Sequence, residues 1–200
     1  MVGVGELLDG PQERQVLVTS TVDRSARGFT LVELMIGLAM IAILMLLALP
    51  SYNEFMGNSR IRNTADSLVN GLRQAQVEAV RRNRSIEFIL DPANGWRLFD
   101  PTDNATLHTE PFSDANGQIV VDPNPPGTTK LTYTGLGQYV PGANPSDATP
   151  VMTSIRITHA SLASPHDLRV TADPAWGAGV RVCDKRFATT DPVGCPAGVP

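Results

Sequence analysis

Arg27-Gly28-Phe29-Thr30-Leu31-Val32-Glu33 opens an apolar run that continues from Phe29 to Leu49 with a single carboxylate just inside it. About twenty residues at 1.5 Å each make roughly 30 Å of helix, the thickness of a bilayer core. Glu33 would then lie in hydrocarbon, where a carboxylate costs about 2.5 kcal/mol or more unless it stays near the interface or meets a cation. Such an acid calls for a partner. The Gly-Phe junction precedes the run, whereas an ordinary secretory signal has a shorter apolar core and a small-residue cleavage site on its far side. Arg24 and Arg27, directly before the run, favour a cytoplasmic N-terminus, although Arg60 and Arg62 beyond it weaken that bias.

Gly28-Phe29-Thr30-Leu31-Val32-Glu33 followed by an apolar helix resembles the type III signal of type IV pilins and type II secretion pseudopilins. The resemblance implies that a prepilin peptidase cuts after Gly28 and methylates the new N-terminal Phe29. It implies too that Glu33 pairs with the N-terminal amine of a neighbouring subunit as the helix leaves the membrane for a filament. The leader, residues 1–28, is long for such a signal and carries Glu6, Asp9, Glu13 and Asp23 against Arg14, Arg24 and Arg27. A start codon placed too early would give that composition.

The chain has 200 residues and a formal charge of −4. Without the leader, with its four acids and three bases, the charge is −3, and what remains beyond a membrane helix is enough for one small soluble domain. Neither the charge nor any basic block advertises nucleic acid. Beyond Pro50 and Gly57, two weak points in a helix, Ile61, Ala65, Leu68, Leu72, Ala75 and Ala79 recur at helical spacing. One helix from about Phe29 to about Asn83 follows, apolar all round in its first half and one-sided in its second. Ser85–Leu90 and Trp96–Phe99, joined by the turn Asp91-Pro92-Ala93-Asn94-Gly95, read as a hairpin. Further strands are expected at Gln118–Val121, Lys130–Thr134, Val151–Thr158, Asp167–Thr171 and Gly179–Cys183, in an antiparallel sheet. Asp122–Gly127 and Pro141–Pro150 read as surface loops without regular structure.

Leu68 to Asn83, running straight into a strand, is similar to the helix-to-sheet entry of the GspH/FimT branch of minor pilins and pseudopilins. The expected fold is therefore α+β, a pilin fold. Residues 29–49 form a transmembrane or filament-core half-helix, residues 50–84 an amphipathic half, and residues 85–200 a β-sheet head. Cys183 and Cys195 are too far apart for C-x-x-C, and His108, His159 and His166 do not complete a zinc-like spacing with them. In an oxidising compartment the two thiols would close a short loop worth about 3 kcal/mol and staple the tail.

No metal, cofactor or catalytic group is expected. The histidines adjoin no nucleophile elbow, Ser161 near His159 reads as coincidence, and Gly135-Leu136-Gly137-Gln138-Tyr139 reads as a strand-ending turn. The residues singled out for anion contact are Arg169, Arg181, Lys185 and Arg186, with Arg81, Arg82 and Arg84 as further candidates. FimT-like pilins of transformable bacteria are linked to DNA capture through a Gly-Arg-x-Arg motif ahead of the first tail cysteine. Here Arg181 takes the second arginine position, while Gly179 and Ala178 stand where the first arginine and the glycine belong. Asp173 and Asp184 dilute the patch.

The resemblance makes the chain a non-enzymatic minor pilin of a type IV pilus, present at low copy near the tip. The implied alternatives are a GspH-type pseudopilin of a type II secretion system and a DNA-binding pilus subunit. The partners implied are prepilin peptidase, major and other minor pilins, the inner-membrane assembly platform, the inner membrane itself and, in the last alternative, DNA. The implied location is the bacterial inner membrane, single-pass with the head in the periplasm, and then the filament at the cell surface.

Overall fold

The computed structural model describes residues 28–112, 117–172 and 179–196. The leader up to Arg27, and the segment holding Asp173 and Ala178, lie outside the described residues. A single helix, α1 (Leu31–Arg82), runs unbroken through Pro50 and Gly57. It contributes to two compact units that divide between Ile43 and Leu44. In the first unit the large apolar side chains of α1 are exposed, from Leu31 to Ile43.

In the second unit α1 turns one-sided. Ile61, Ala65, Leu68, Leu72, Ala75 and Ala79 are all buried, with spacings of three or four residues that hold one face of a helix. Small residues on that face let the backbone approach closely. A Cβ on Gly71 would come within 2.8 Å of the Trp96 ring and 2.9 Å of Phe88, two rings that stack at 5.6 Å. The helix ends as its composition directs. Arg81 and Arg82 occupy the last turn, Asn83 takes the left-handed conformation at φ 50°, and the Arg84 N–H donates back to the Ala79 carbonyl at 3.2 Å.

Among the described residues eight strands follow, in two four-stranded sheets where the sequence suggests one: β1 (Ile86–Asp91), β2 (Gly95–Asp100), β3 (Ala105–Pro111), β4 (Ile119–Asn124), β5 (Lys130–Tyr133), β6 (Ser154–His159), β7 (Leu168–Ala172) and β8 (Val180–Asp184). The strand orders are β3-β2-β1-β5 and β4-β6-β7-β8, and every pairing is antiparallel. The β1–β2 hairpin forms in the expected place, with Leu90 opposite Trp96. Alternate residues of both sheets, among them Phe88, Leu90, Leu98, Ile155, Ile157 and Val170, join the helix stripe in one core.

One strand is absent from the expected set, and one expected loop is corrected. Ala105-Thr106-Leu107-His108-Thr109-Glu110-Pro111, which carries no strand signal in the sequence, is β3, a mostly solvated edge whose polar residues give no period-2 pattern. Asp122-Pro123-Asn124, expected as loop, extends β4 opposite Arg156, Ile155 and Ser154. Proline is tolerated there because β4 is an edge strand, so the missing N–H need not join a ladder. The Pro141–Pro150 connection lacks regular structure as expected, yet it is held down. Buried Asn144 accepts from Thr132 Oγ1 at 2.9 Å and donates to the Thr149 carbonyl at 3.1 Å, and Lys130 pairs with Asp147.

Gly71→Val should destabilise the fold by about 1–3 kcal/mol, because its methyls would have to displace two stacked rings. The exposed neighbour change Asn70→Ala should stay within about 0.5 kcal/mol. Urea unfolding followed by tryptophan emission reads both.

Candidate assembly helix and tail surface

The first turn of α1 is built by Thr30. Its hydroxyl accepts the Glu33 N–H at 3.2 Å while its carbonyl accepts the Leu34 N–H at 3.1 Å, so Thr30 is the N-cap and Glu33 stands at the third helical position. That is the acid position of a capping box, a pattern visible in Thr30-Leu31-Val32-Glu33 and overlooked when Glu33 is read only as an intruder in an apolar run. The helix dipole favours a carboxylate there without a neighbouring side-chain cation. Gly28, Phe29 and Glu33 are exposed together at the start of the helix, and Phe29 is 83% accessible.

At the other end of the chain Cys183 and Cys195 form a disulfide. The loop they close lies along the outer edge of β8. The Asp184 N–H donates to the Val193 carbonyl at 2.9 Å, and Gly194 bridges to Asp184 while its backbone passes close to the Ala188 carbonyl. That approach leaves no room for a side chain at Gly194. Arg181 completes the clasp. Its guanidinium donates to the Pro192 carbonyl and, at 3.4 Å, to the Gly194 carbonyl.

Of the cations singled out from the sequence, all but Lys185 are engaged within the chain. Arg169 is buried in β7, opposite Cys183 on one side and Arg156 on the other, with its Nε 3.6 Å from Asp167. Burial removes Arg169 from the surface patch expected for it. Arg186 grips both Asp184 oxygens, with contacts between 2.8 and 3.2 Å. Lys185 is exposed. At the end of α1, Arg81 and Arg82 share Glu78, while Arg84 reaches Asp103 at 2.6 Å and the buried Asp100 at 3.6 Å. These arrangements tie the helix end to β2 and the tail to itself.

His166 joins the tail to the helix. Its backbone N–H donates to Asn58 Oδ1 at 3.0 Å, its ring nitrogens lie 2.8 and 3.1 Å from the Arg186 guanidinium, and Nδ1 is 3.7 Å from Asp184. Burial, then the charge of Arg186, push its pKa down, and Arg62 adds to this. Asp184 pulls the other way but is already engaged by Arg186. Burial raises the Asp184 pKa, yet the hydrogen bonds from Arg186 outweigh it and the carboxyl titrates below its ordinary range.

Ser161 and His159 do meet. The Ser161 N–H donates to His159 Nδ1 at 3.3 Å and the hydroxyl lies 3.4 Å from the same nitrogen. This is a two-residue turn bond, not a nucleophile beside an oriented base. Among the described residues no cluster of three or more His, Cys, Asp or Glu side chains could hold a metal ion. Gly135–Gln138 is a turn, closed by Thr134 and Gln138 backbone bonds and by Gln76 Nε2 donating to the Gly137 carbonyl at 2.8 Å.

The family described as type II transport protein GspH matches residues 64–182. The prokaryotic N-terminal methylation motif matches residues 23–49. A curated Pseudomonas aeruginosa protein named "Fimbrial protein" is 30% identical over 123 residues, which is 60% of this chain and 77% of the relative. A second protein of the same name and organism matches to the same extent. Crystal structures of the type IV minor pilin FimU from Pseudomonas aeruginosa strain PAO1, in two crystal forms, superimpose with TM-scores of 0.44 and 0.43 at 18% and 16% identity. They cover 68% and 65% of this chain and 95% and 98% of theirs.

Removing the staple with Cys183→Ser and Cys195→Ser should cost about 3 kcal/mol by loop-closure entropy. Urea midpoints with and without a thiol reductant measure it, and the reductant should not affect the double variant. The His166 cluster predicts a pH dependence. A base whose folded-state pKa is depressed stabilises the fold above its ordinary value of about 6.5 and loses that contribution as pH falls through it. Stability should therefore decline on acidification from pH ~7 to ~5, and His166→Asn should flatten that part of the curve.

Proposed function

Since this chain belongs to the family of the type II transport protein GspH, we propose that it is a minor pilin of a type IV pilus, stored in the inner membrane and then built into the filament. The observation that carries this reading is the apolar, exposed first half of α1 behind Gly28-Phe29, with Glu33 capped into its first turn. The likeness to a fimbrial protein across 77% of that relative's length favours a pilus over a secretion machine.

On this reading prepilin peptidase removes residues 1–28 and methylates the Phe29 amine. Residues 29–49 hold the subunit in the bilayer with residues 85–200 in the periplasm, an oxidising compartment that suits the Cys183–Cys195 bond. Residues 50–84 carry the head. Assembly then moves the helix from lipid into a bundle of like helices from major and other minor pilins, engaged by the inner-membrane assembly platform. Glu33 meets the Phe29 amine of a neighbour, and the pair forms where an unpaired carboxylate in hydrocarbon would cost about 2.5 kcal/mol or more. That cost makes the docking selective for register. The work is structural, carried by the helix face and the sheet surfaces.

A second reading, a pseudopilin capping a periplasmic pseudopilus of the type II secretion system, is favoured by the family's own description. Deleting the chain from its host separates the two. Loss of sheared surface pili with normal exoprotein release supports the pilus, and the reverse supports the secretion machine. In the complemented strain Glu33→Ala should keep membrane retention and leader removal but lose recovery of the subunit in sheared fibres. Recovery equal to the parent would overturn the role given to Glu33.

A further inference from the structure

One face of α1 just beyond the apolar run has no part in the head. Met56, Gly57 and Arg60 line a cleft with His159 and Leu162, and a Cβ on Gly57 would lie 2.6 Å from Leu162 Cδ1. That is the face on which the sheets sit. At about 100° per residue, Tyr52 and Phe55 project on a different face. Both rings are exposed, by 60% and 66%.

Their height along the helix is as informative as their exposure. They follow Leu49, the last residue of the apolar run, by about 5 and 9 Å of helix. A bilayer has a hydrocarbon core about 30 Å thick within a total of about 40–45 Å, so that interval falls in the headgroup layer. Tyrosine concentrates at that layer because an apolar body with a polar tip is satisfied on both sides, and phenylalanine on a helix lying at the interface buries its ring at the headgroup–acyl boundary. The apolar surface is continuous up to them, since Leu44, Leu46, Leu47 and Leu49 are each more than half exposed. A head surface contacting only water would not need two large rings turned away from its own core.

We propose that Tyr52 and Phe55 are an interfacial anchor whose partner is phospholipid: before assembly they rest among the headgroups on the head side of the bilayer and set the depth of the helix. The inference rests on the membrane reading above and adds the seat that reading lacks. Seating fixes the height of the head directly above the bilayer, because the Gly57–Leu162 contact follows within one turn of Phe55. Extraction into a filament must lift both rings out of the interface, so the anchor also holds the subunit back until a neighbour's surface replaces the lipid.

The test uses the full chain in phosphatidylcholine–phosphatidylglycerol vesicles, with Phe55→Trp and Tyr52→Trp as separate reporters and Met40→Trp as a control within the apolar run. Emission above that of the parent chain, which has its own tryptophans, is measured with nitroxide lipids labelled at the headgroup or deep in the acyl chain. The expected result is the greatest loss of emission from Phe55→Trp and Tyr52→Trp with the headgroup nitroxide, and from Met40→Trp with the deep one. Deep quenching of Met40→Trp with no response at positions 52 and 55 overturns the anchor and leaves the span standing. Greatest quenching of positions 52 and 55 by the deep nitroxide overturns it too, by placing them within the span. No quenching of any reporter overturns the membrane reading itself.

Discussion

The structure depends on one contact, the close approach of the small-residue face of α1 to the sheet carrying Phe88 and Trp96. Gly71 leaves space that the two stacked rings fill, and Ile61, Ala65, Leu68, Leu72, Ala75 and Ala79 share the same buried core. A helix of 52 residues would not be held together by its own propensity through a proline and several glycines in water. Packing along its second half supplies what propensity does not. Trp96 adds a directional bond, its Nε1–H donating to Ser67 Oγ at 3.0 Å, and so sets the rotation of the helix over the sheet as well as its distance.

Charge serves the same end as packing. Arg82 and Arg84 flank the buried Asp100, Lys130 lies between Glu87 and Asp147, and Arg186 is clasped by Asp184. These cations join parts of the chain that hydrophobic burial alone would leave free to slide: Arg82 and Arg84 the helix end to β2, Lys130 a loop to the sheet, and Arg186, through His166, the tail to the segment before β7. Lys130 holds the Asp147 carboxyl down to about 2, with Thr149 hydrogen bonds assisting, so that clasp persists through ordinary acidity. A chain can be rich in surface arginine and still offer little positive surface once its own carboxylates have claimed the guanidiniums.

The features legible in the sequence are those that depend on neighbours along the chain. The stripe from Ile61 to Ala79, the hairpin turn at Asp91–Gly95 and the strands β1 and β5 are local patterns, and the structure has each where the pattern places it to within a residue, whereas β6 begins three residues after its expected start at Val151. β3 escapes a sequence reading because a mostly solvated edge strand with only Leu107 packed against the core shows no clear alternation, and its existence rests on pairing with β2. β4 runs past its expected end because whether a proline stops a strand depends on which side of it has a partner, a question only the strand order answers. The cap at Thr30 is legible too, but it hides inside an apolar run that draws the reading elsewhere.

By itself, then, the sequence determined the long helix, its change from all-round apolar to one-sided, the junction at Gly28-Phe29 and the acid at Glu33, because each is a property of residues within a few turns of one another. The division into two sheets, the burial of Arg169 and the engagement of Arg181 with the tail carbonyls were decided by the tertiary structure alone. Whether a charge is available to a partner depends on what lies across space from it, and residues eleven to seventeen positions apart are brought together by strand register and a disulfide, not by spacing along the chain.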